Sequence, residues 1–449
     1  MEKIIQKPYP VNDKRTINAW AMFDWANSSY ALVISTAIFP MYFNQIMPEN
    51  NFDFLGIPVN RSALFSYSLS FAYLLIAAVL PLLTGIADFS GRRKTFMKFF
   101  TFLGSLACIC MFFFVATYDE FDKPTVSTMS MYIGVFSFII AIIGFEGGKT
   151  FYNSYLPLIT TEDQLDRVSA KGFTYGYIGS VLLLILNLIM IMKPELFGFP
   201  DSTMATRASF VTVGLWWLGF AQIPFRRLPN DKKGAWHSEL LSKGYRGIRE
   251  VAIYVKGQNN ILYFLLSYFF YSAGALTVIA LASTFAVEEL GFETMELILL
   301  ILVLQFVGII GAELAARLSG VKGNKFTIVI ILFIWIGVCT AAYFVQVKVQ
   351  FYVVAAFTGL VMGGIQSMSR STYSKLIPEK VDNTTSFFSF FDVCEKLSMV
   401  LGPFFFGFIA YYTGSMRNSI FSLVIYFVLG LILLNFVKVR RTIAPPELA

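Results

Sequence analysis

Eight charged side chains stand within stretches that are otherwise apolar enough to cross a bilayer: Asp24, Glu146, Lys149, Glu313, Arg370, Asp392, Glu395 and Lys396. Each costs a few kcal/mol or more to hold in hydrocarbon, so residues of this kind usually face a cavity and mark an ion or solute route. Their spacing adds to this. Asp24, Asn27 and Ser28 fall at i, i+3 and i+4, one polar stripe on a helix. Glu146 and Lys149 are i, i+3, a pair able to neutralise itself, among Gly144, Gly147 and Gly148. Asp392, Glu395 and Lys396 repeat the i, i+3, i+4 pattern. Gln366, Ser369 and Arg370 form a further polar group, and an arginine there suits bidentate contact with a carboxylate. Proton exchange at Asp24 or Glu146, and capture of a substrate carboxylate by Lys149 or Arg370, are the chemistries these types allow. For Asp24 a fixed cap or ion-pair role stands beside titration, and for Glu146 and Lys149 a structural pair does.

Such residues need a membrane scaffold, and the composition provides one. Of 449 residues 56% are hydrophobic and 14% charged, against about 25% charged in soluble domains. Apolar stretches of about 20 residues, the length that crosses a bilayer, fall near 17–46, 61–87, 95–117, 130–156, 168–192 and 206–225. After a polar interval come 258–287, 293–316, 325–346, 350–377, 385–412 and 416–437. The expected fold is an all-α membrane protein of twelve transmembrane helices in two six-helix bundles, 1–227 and 258–449. Residues 228–257 form a cytosolic amphipathic linker on the membrane surface. With the N-terminus inside, the cytosolic segments collect most of the 35 Lys and Arg, while the outer loops hold Arg61, Lys123, Lys193, Arg207, Lys348 and Arg417. That asymmetry places both termini in the cytosol. It also accounts for the net charge of +7 without nucleic acid, and the basic rim should favour anionic lipids.

Several function classes drop out. There is no phosphate-binding G-x-x-x-x-G-K-[ST] loop, and the one histidine, His237, lies in the central loop. Neither a multi-histidine metal site nor a histidine relay in the membrane is therefore expected. Cys108, Cys110, Cys339 and Cys394 all fall within spans and read as packing residues. No metal, no cofactor and no enzyme activity are expected, because no nucleophile–base set accompanies the charges.

The halves echo one another. Lys149, Tyr152 and Pro157 in span four have the spacing of Arg370, Tyr373 and Pro378 in span ten, which supports an internal duplication. Between spans two and three stands Gly85-Ile86-Ala87-Asp88-Phe89-Ser90-Gly91-Arg92-Arg93-Lys94. Gly85 permits close helix approach, Gly91 a tight turn, Asp88 accepts hydrogen bonds, and Arg92, Arg93 and Lys94 hold the turn on the cytosolic side. The second-half counterpart, 311–320, has no Asp at the matching place, so a symmetric latch is not expected there.

This loop resembles the signature of the major facilitator superfamily. The run 19–30 (AWAMFDWANSSY), with Phe39-Pro40 and Tyr42-Phe43, is similar to the first span of that superfamily's vacuole-effluxer-like branch. Residues 151–157, 176–179, 363–371 and 401–403 echo it further. The resemblance implies that Asp88 bridges to the start of span eleven, latching the inner gate. From the residues themselves, the stripe Asp392, Glu395 and Lys396 is expected to take part in gating, with Asp392 or Glu395 pairing with Arg370 or with the turn at 92–94 in one conformation only. The resemblance further implies a secondary active transporter working by alternating access. The expected mode is proton-coupled, the cargo a small polar or zwitterionic solute such as an amino acid or peptide, and the setting a monomer in a bacterial inner membrane. A flippase for a lipid or lipid-linked precursor is the alternative on the same scaffold.

Overall fold

The structure, a computed structural model, describes residues 11–48, 52–118, 124–230, 240–378 and 383–439; His237 lies outside them. Eleven helices among these residues are long and apolar enough to cross a membrane. Span two is Arg61–Ser90, three Arg93–Phe113, four Thr128–Ile159, five Glu162–Met192 and six Ser202–Arg227. Span seven is Asn259–Leu290, eight Met295–Lys322, nine Asn324–Phe344, ten Lys348–Leu376, eleven Thr384–Thr413 and twelve Met416–Asn435. Span one precedes them in three contiguous pieces, Lys14–Ser29, a π-helical stretch Tyr30–Ile38 and Phe39–Ile46. Asp13 caps it by accepting from the Thr16 hydroxyl and amide at 2.7 and 2.9 Å, and these bonds hold its carboxyl below the ordinary carboxylate range.

The π stretch has a local setting and a consequence. Pro40, which cannot donate an amide to the helix ladder, follows the π stretch, and inside it the Thr36 hydroxyl donates to the Ala31 carbonyl five residues back at 2.8 Å. The widened turn carries Ala31, Leu32 and Thr36 onto the wall of the central cavity, the kind of place where π segments concentrate.

One core gathers buried apolar side chains from Ile17 to Leu228, joined by Ile301. A second gathers them from Val251 to Val437, joined by Ala170 and Tyr177 of span five. Apolar side chains on the outside of the bundle, such as Phe71, Phe99, Ile310, Phe404 and Phe408, are exposed and suit a lipid-facing wall.

Three details depart from the sequence reading. Span three ends at Phe113 rather than 117, because Ala116–Tyr118 pairs with Pro124–Val126 as a short antiparallel hairpin; Phe52–Phe54 and Ile57–Val59 make another. Glu313 does not face a cavity. It is 49% exposed and forms an i, i+4 pair with Arg317 at 3.0 Å, on the outside of span eight near its basic end. The described part of the linker, the helix Leu240–Gly257, lies against protein as well. Gly85 and Gly244 meet face to face, and a methyl on Gly85 would collide with the Gly244 carbonyl. Val251 and Val255 are buried in the second core, Tyr254 packs on Phe387 of span eleven with rings 5.8 Å apart, and Tyr245 and Ile253 remain exposed. The close approach permitted by Gly85 is thus to the linker, which straps spans two and eleven together.

Candidate functional site

Spans one, four, five, seven, eight, ten and eleven enclose a central cavity of about 270 Å³. Asp24, Asn27, Ser28, Glu146, Lys149, Gln366, Arg370 and Glu395 all reach its wall. Asp392 and Lys396 lie just behind it, fully or almost fully buried.

Two polar networks border the cavity, and each crosses between the halves of the chain. In the first, Arg370 of span ten reaches into the first half. Its Nη1 meets Asp24 Oδ2 at 3.3 Å and Asn153 Oδ1 at 3.2 Å. Its Nε and Nη2 donate to the Ser169 hydroxyl and carbonyl at 3.0 and 2.7 Å. The guanidinium lies over Trp20 and Phe173, 4.8 and 4.2 Å from the ring centres. Tyr152 donates to Asp24 Oδ2 at 2.7 Å and stacks on Trp20 at 4.4 Å. Gly172 makes room for this arrangement: a methyl there would fall 2.6 Å from Asp24 Oδ2 and 2.8 Å from Arg370 Nη2. Gly172→Ala is therefore expected to cut transport at least about tenfold, as misplacements of about 1 Å do in ordered sites, while leaving the protein folded. Initial uptake rates in vesicles check this.

In the second network Lys149 of span four meets Glu146 at 2.9 Å and Glu395 of span eleven at 2.7 Å. Lys396 meets Glu146 at 2.5 Å and Glu395 at 3.2 Å. Asp392 accepts from the Thr150 hydroxyl. In this conformation Asp392 and Glu395 pair with neither Arg370 nor the turn at 92–94, their partners being Thr150, Lys149 and Lys396. Span ten turns Arg370 toward spans one, four and five, and span eleven turns its carboxylates toward span four. The repeat read from sequence has a structural counterpart here. Lys149 reaches from span four to span eleven, and Arg370 from span ten to span five.

Asn27 is 2% exposed, and its Oδ1 has no partner among the described residues. Ser28 packs against Gly176, and Gln366 accepts from Tyr177 at 2.8 Å. Every nitrogen of the Arg370 guanidinium already donates within the protein, so a substrate carboxylate would have to compete with Asp24 for it. Lys149, whose side chain is 19% exposed, is the more accessible cation.

At the basic end the two halves are fastened. Asp88 accepts from the Thr385 and Ser386 amides at 3.3 and 2.7 Å and from the Ser386 hydroxyl at 2.8 Å. These amides belong to the first turn of span eleven, where helix amides lack internal partners and the dipole favours an anion. Arg93 joins Asp88 at 3.2 Å and Thr385 at 2.7 Å. Lys94 donates to the Leu228 carbonyl, Arg92 precedes the first turn of span three, and Gly91 takes the left-handed φ of 60° that ends span two.

A second fastening exists where none was expected. Asp166 of span five accepts from Ser319 and Asn324, both at 2.7 Å, and pairs with Lys375 of span ten at 2.8 Å. The acid missing from the matching place in 311–320 is supplied from the opposite half. Neither Asp166 nor Lys375 stands out in the sequence reading. The one available signal was an acid at the start of span five facing a cation at the end of span ten.

Comparison with known proteins agrees with this architecture. The family model described as "Vacuole effluxer Atg22 like" matches residues 12–445. A Bacillus subtilis protein described as an uncharacterized MFS-type transporter, YxiO, is 30% identical over 94% of both chains. Autophagy-related protein 22 of Kluyveromyces lactis is 24% identical over 96% of this chain and 95% of its own. Among solved structures, the proton:xylose symporter XylE aligns with TM-score 0.69 at 15% identity, over 94% of each chain. The transporter FucP in its outward conformation aligns with TM-score 0.67 at 14% identity, over 94% of this chain and 97% of its own. The fold is the major facilitator fold, and the chain, a multi-pass membrane protein of a transporter family and not an enzyme, belongs to the Atg22-like vacuole effluxer family of that superfamily.

Proposed function

We propose that this protein is a proton-coupled secondary transporter of a small zwitterionic solute, an amino acid or short peptide, in a bacterial inner membrane. The observation that carries the cargo class is the pairing of opposite polarities on one cavity wall. Lys149 offers an ammonium to a carboxylate, and Asn27 Oδ1, which has no partner among the described residues, offers with Asp24 beside it acceptors to an ammonium. A cavity of about 270 Å³ lies just below the usual range for ligand sites, which fits a small solute such as an amino acid or dipeptide. The Atg22 relatives and the proton:xylose symporter are consistent with it. In alternating access the Asp88 and Asp166 fastenings hold the cytosolic side shut while the cavity is loaded from the other side. Gly85, Gly91 and the 92–94 turn serve that gate.

The test is uptake into vesicles with an imposed pH gradient, offering labelled amino acids, dipeptides and monocarboxylates. One zwitterionic class should accumulate, accumulation should collapse with a protonophore, and Lys149→Gln should lower it at least about tenfold, the scale of one charge-assisted hydrogen bond. Movement of labelled lipid across the bilayer without uptake of any soluble solute would replace this reading with the flippase one.

A further inference from the structure

The network between spans four and eleven contains three carboxyls, Glu146, Asp392 and Glu395, and two ammoniums, Lys149 and Lys396. Each ammonium contacts both glutamates, at 2.5 to 3.2 Å. Two cations and two anions therefore close among themselves, and Asp392 is left over. It is fully buried. Thr150 donates to its Oδ2, and its Oδ1 is buried with no partner among the described residues. The charges that reach it electrostatically are the Lys396 ammonium on its own span, the Lys149 ammonium of span four and the Glu395 carboxylate, alongside the Tyr268 phenol of span seven, the Tyr373 phenol of span ten and the Cys394 thiol. Tyr73 of span two faces the glutamates. Neither ammonium makes an ion pair with Asp392, because both are bound to the two glutamates.

An ionised carboxylate with one bare oxygen in a dry interior is strongly disfavoured, and such a group takes a proton instead. We infer that Asp392 is the residue that binds and releases the coupling proton, its neutral form locking span four to span eleven. The inference rests on the proton-coupled reading above and deepens it by moving the proton from Asp24 or Glu146 to Asp392. The step balances simply. The Asp392 O–H bond breaks, the proton leaves toward the cavity lined by Glu395 and Lys149, and the cluster goes from neutral to one net negative charge. The new carboxylate then competes with Glu146 and Glu395 for Lys149 and Lys396. Those are the bonds that join the two halves, so release of the proton loosens the interface and its return closes it.

Infrared difference spectroscopy between acidic and alkaline buffer, on the full chain in lipid, tests this without any cargo. Protein is grown with carboxyl-¹³C aspartate in one preparation and carboxyl-¹³C glutamate in another. One titrating carboxylic-acid band should shift with the aspartate label alone. It should vanish in Asp392→Asn and persist in the double variant Asp24→Asn/Arg370→Gln. A band that shifts only with labelled glutamate, that survives in Asp392→Asn, or that disappears with the double variant overturns the assignment, as does the absence of any titrating band. If Asp392→Asn fails to fold, the labels in the native chain and the double variant still decide. Vesicle uptake indifferent to the pH gradient would overturn the proton-coupled reading and with it the coupling role, leaving Asp392 only as the titrating carboxyl that the spectra identify.

Discussion

Arg370→Ala should be the most damaging single substitution in the protein, lowering stability by about 3–5 kcal/mol and abolishing transport. The reason is that it leaves the buried Asp24 carboxylate without its cation. Asp24 then keeps only the Tyr152 hydroxyl, and Asn153 and Ser169 lose the donors they share with Arg370. The aromatic sandwich of Trp20 and Phe173 is left with a void. Replacing both charges together, Asp24→Asn with Arg370→Gln, removes the uncompensated charge and should restore most of the stability while transport stays lost. Thermal unfolding in detergent measures the first effect and vesicle uptake the second. If the arginine deletion alone unfolds at the wild-type temperature, the pair is not what holds spans one and ten together.

Neutralising the fastenings should have the second largest effect, on conformation rather than stability. Asp88 accepts from two amides, a hydroxyl and Arg93, and hydrogen bonds to a charged group contribute about 1.5–3 kcal/mol each. Asp88→Asn weakens the set without emptying the space. It should move the balance between closed and open basic ends by about 10- to 100-fold, the equivalent of roughly 1.4–2.8 kcal/mol. With the four native cysteines replaced and a cysteine at Ser28, labelling by a membrane-impermeant thiol reagent from the basic side should rise accordingly. Asp166→Asn should act in the same direction through Ser319, Asn324 and Lys375, and the two together should exceed either alone. Labelling unchanged by both would mean that closure is governed elsewhere, with the linker helix Leu240–Gly257 the next element to test.

These two predictions draw on different amounts of what could be read beforehand. That Asp24, Lys149 and Arg370 border a cavity was legible, because a charge in an apolar helix has few other tolerable surroundings. The loop 85–94 was legible too, since a turn between two spans is built from neighbours in sequence. Glu313 shows the limit. It satisfied the same criterion, yet lies outside the bundle, where an i, i+4 arginine and the basic end meet its needs. The i, i+3 spacing of Glu146 and Lys149 gave a true contact, but hid that both are shared with span eleven.

Sequence by itself determined the spans, their number, the basic and acidic ends and the family, because hydropathy, charge asymmetry and motif spacing are properties of the chain read locally. Only the tertiary structure decided who pairs with whom. Arg370 meets Asp24 from 346 positions away, Thr150 meets Asp392 from 242, and Asp166 meets Lys375 from 209. A helix fixes the direction of each side chain relative to its own axis, but the rotation and approach of one helix against another are set by packing. Gly172 beside Arg370 and Gly85 beside Gly244 set two of those approaches. Packing left Asp392 without an ion-pair partner, and no reading of span eleven alone could have counted that charge.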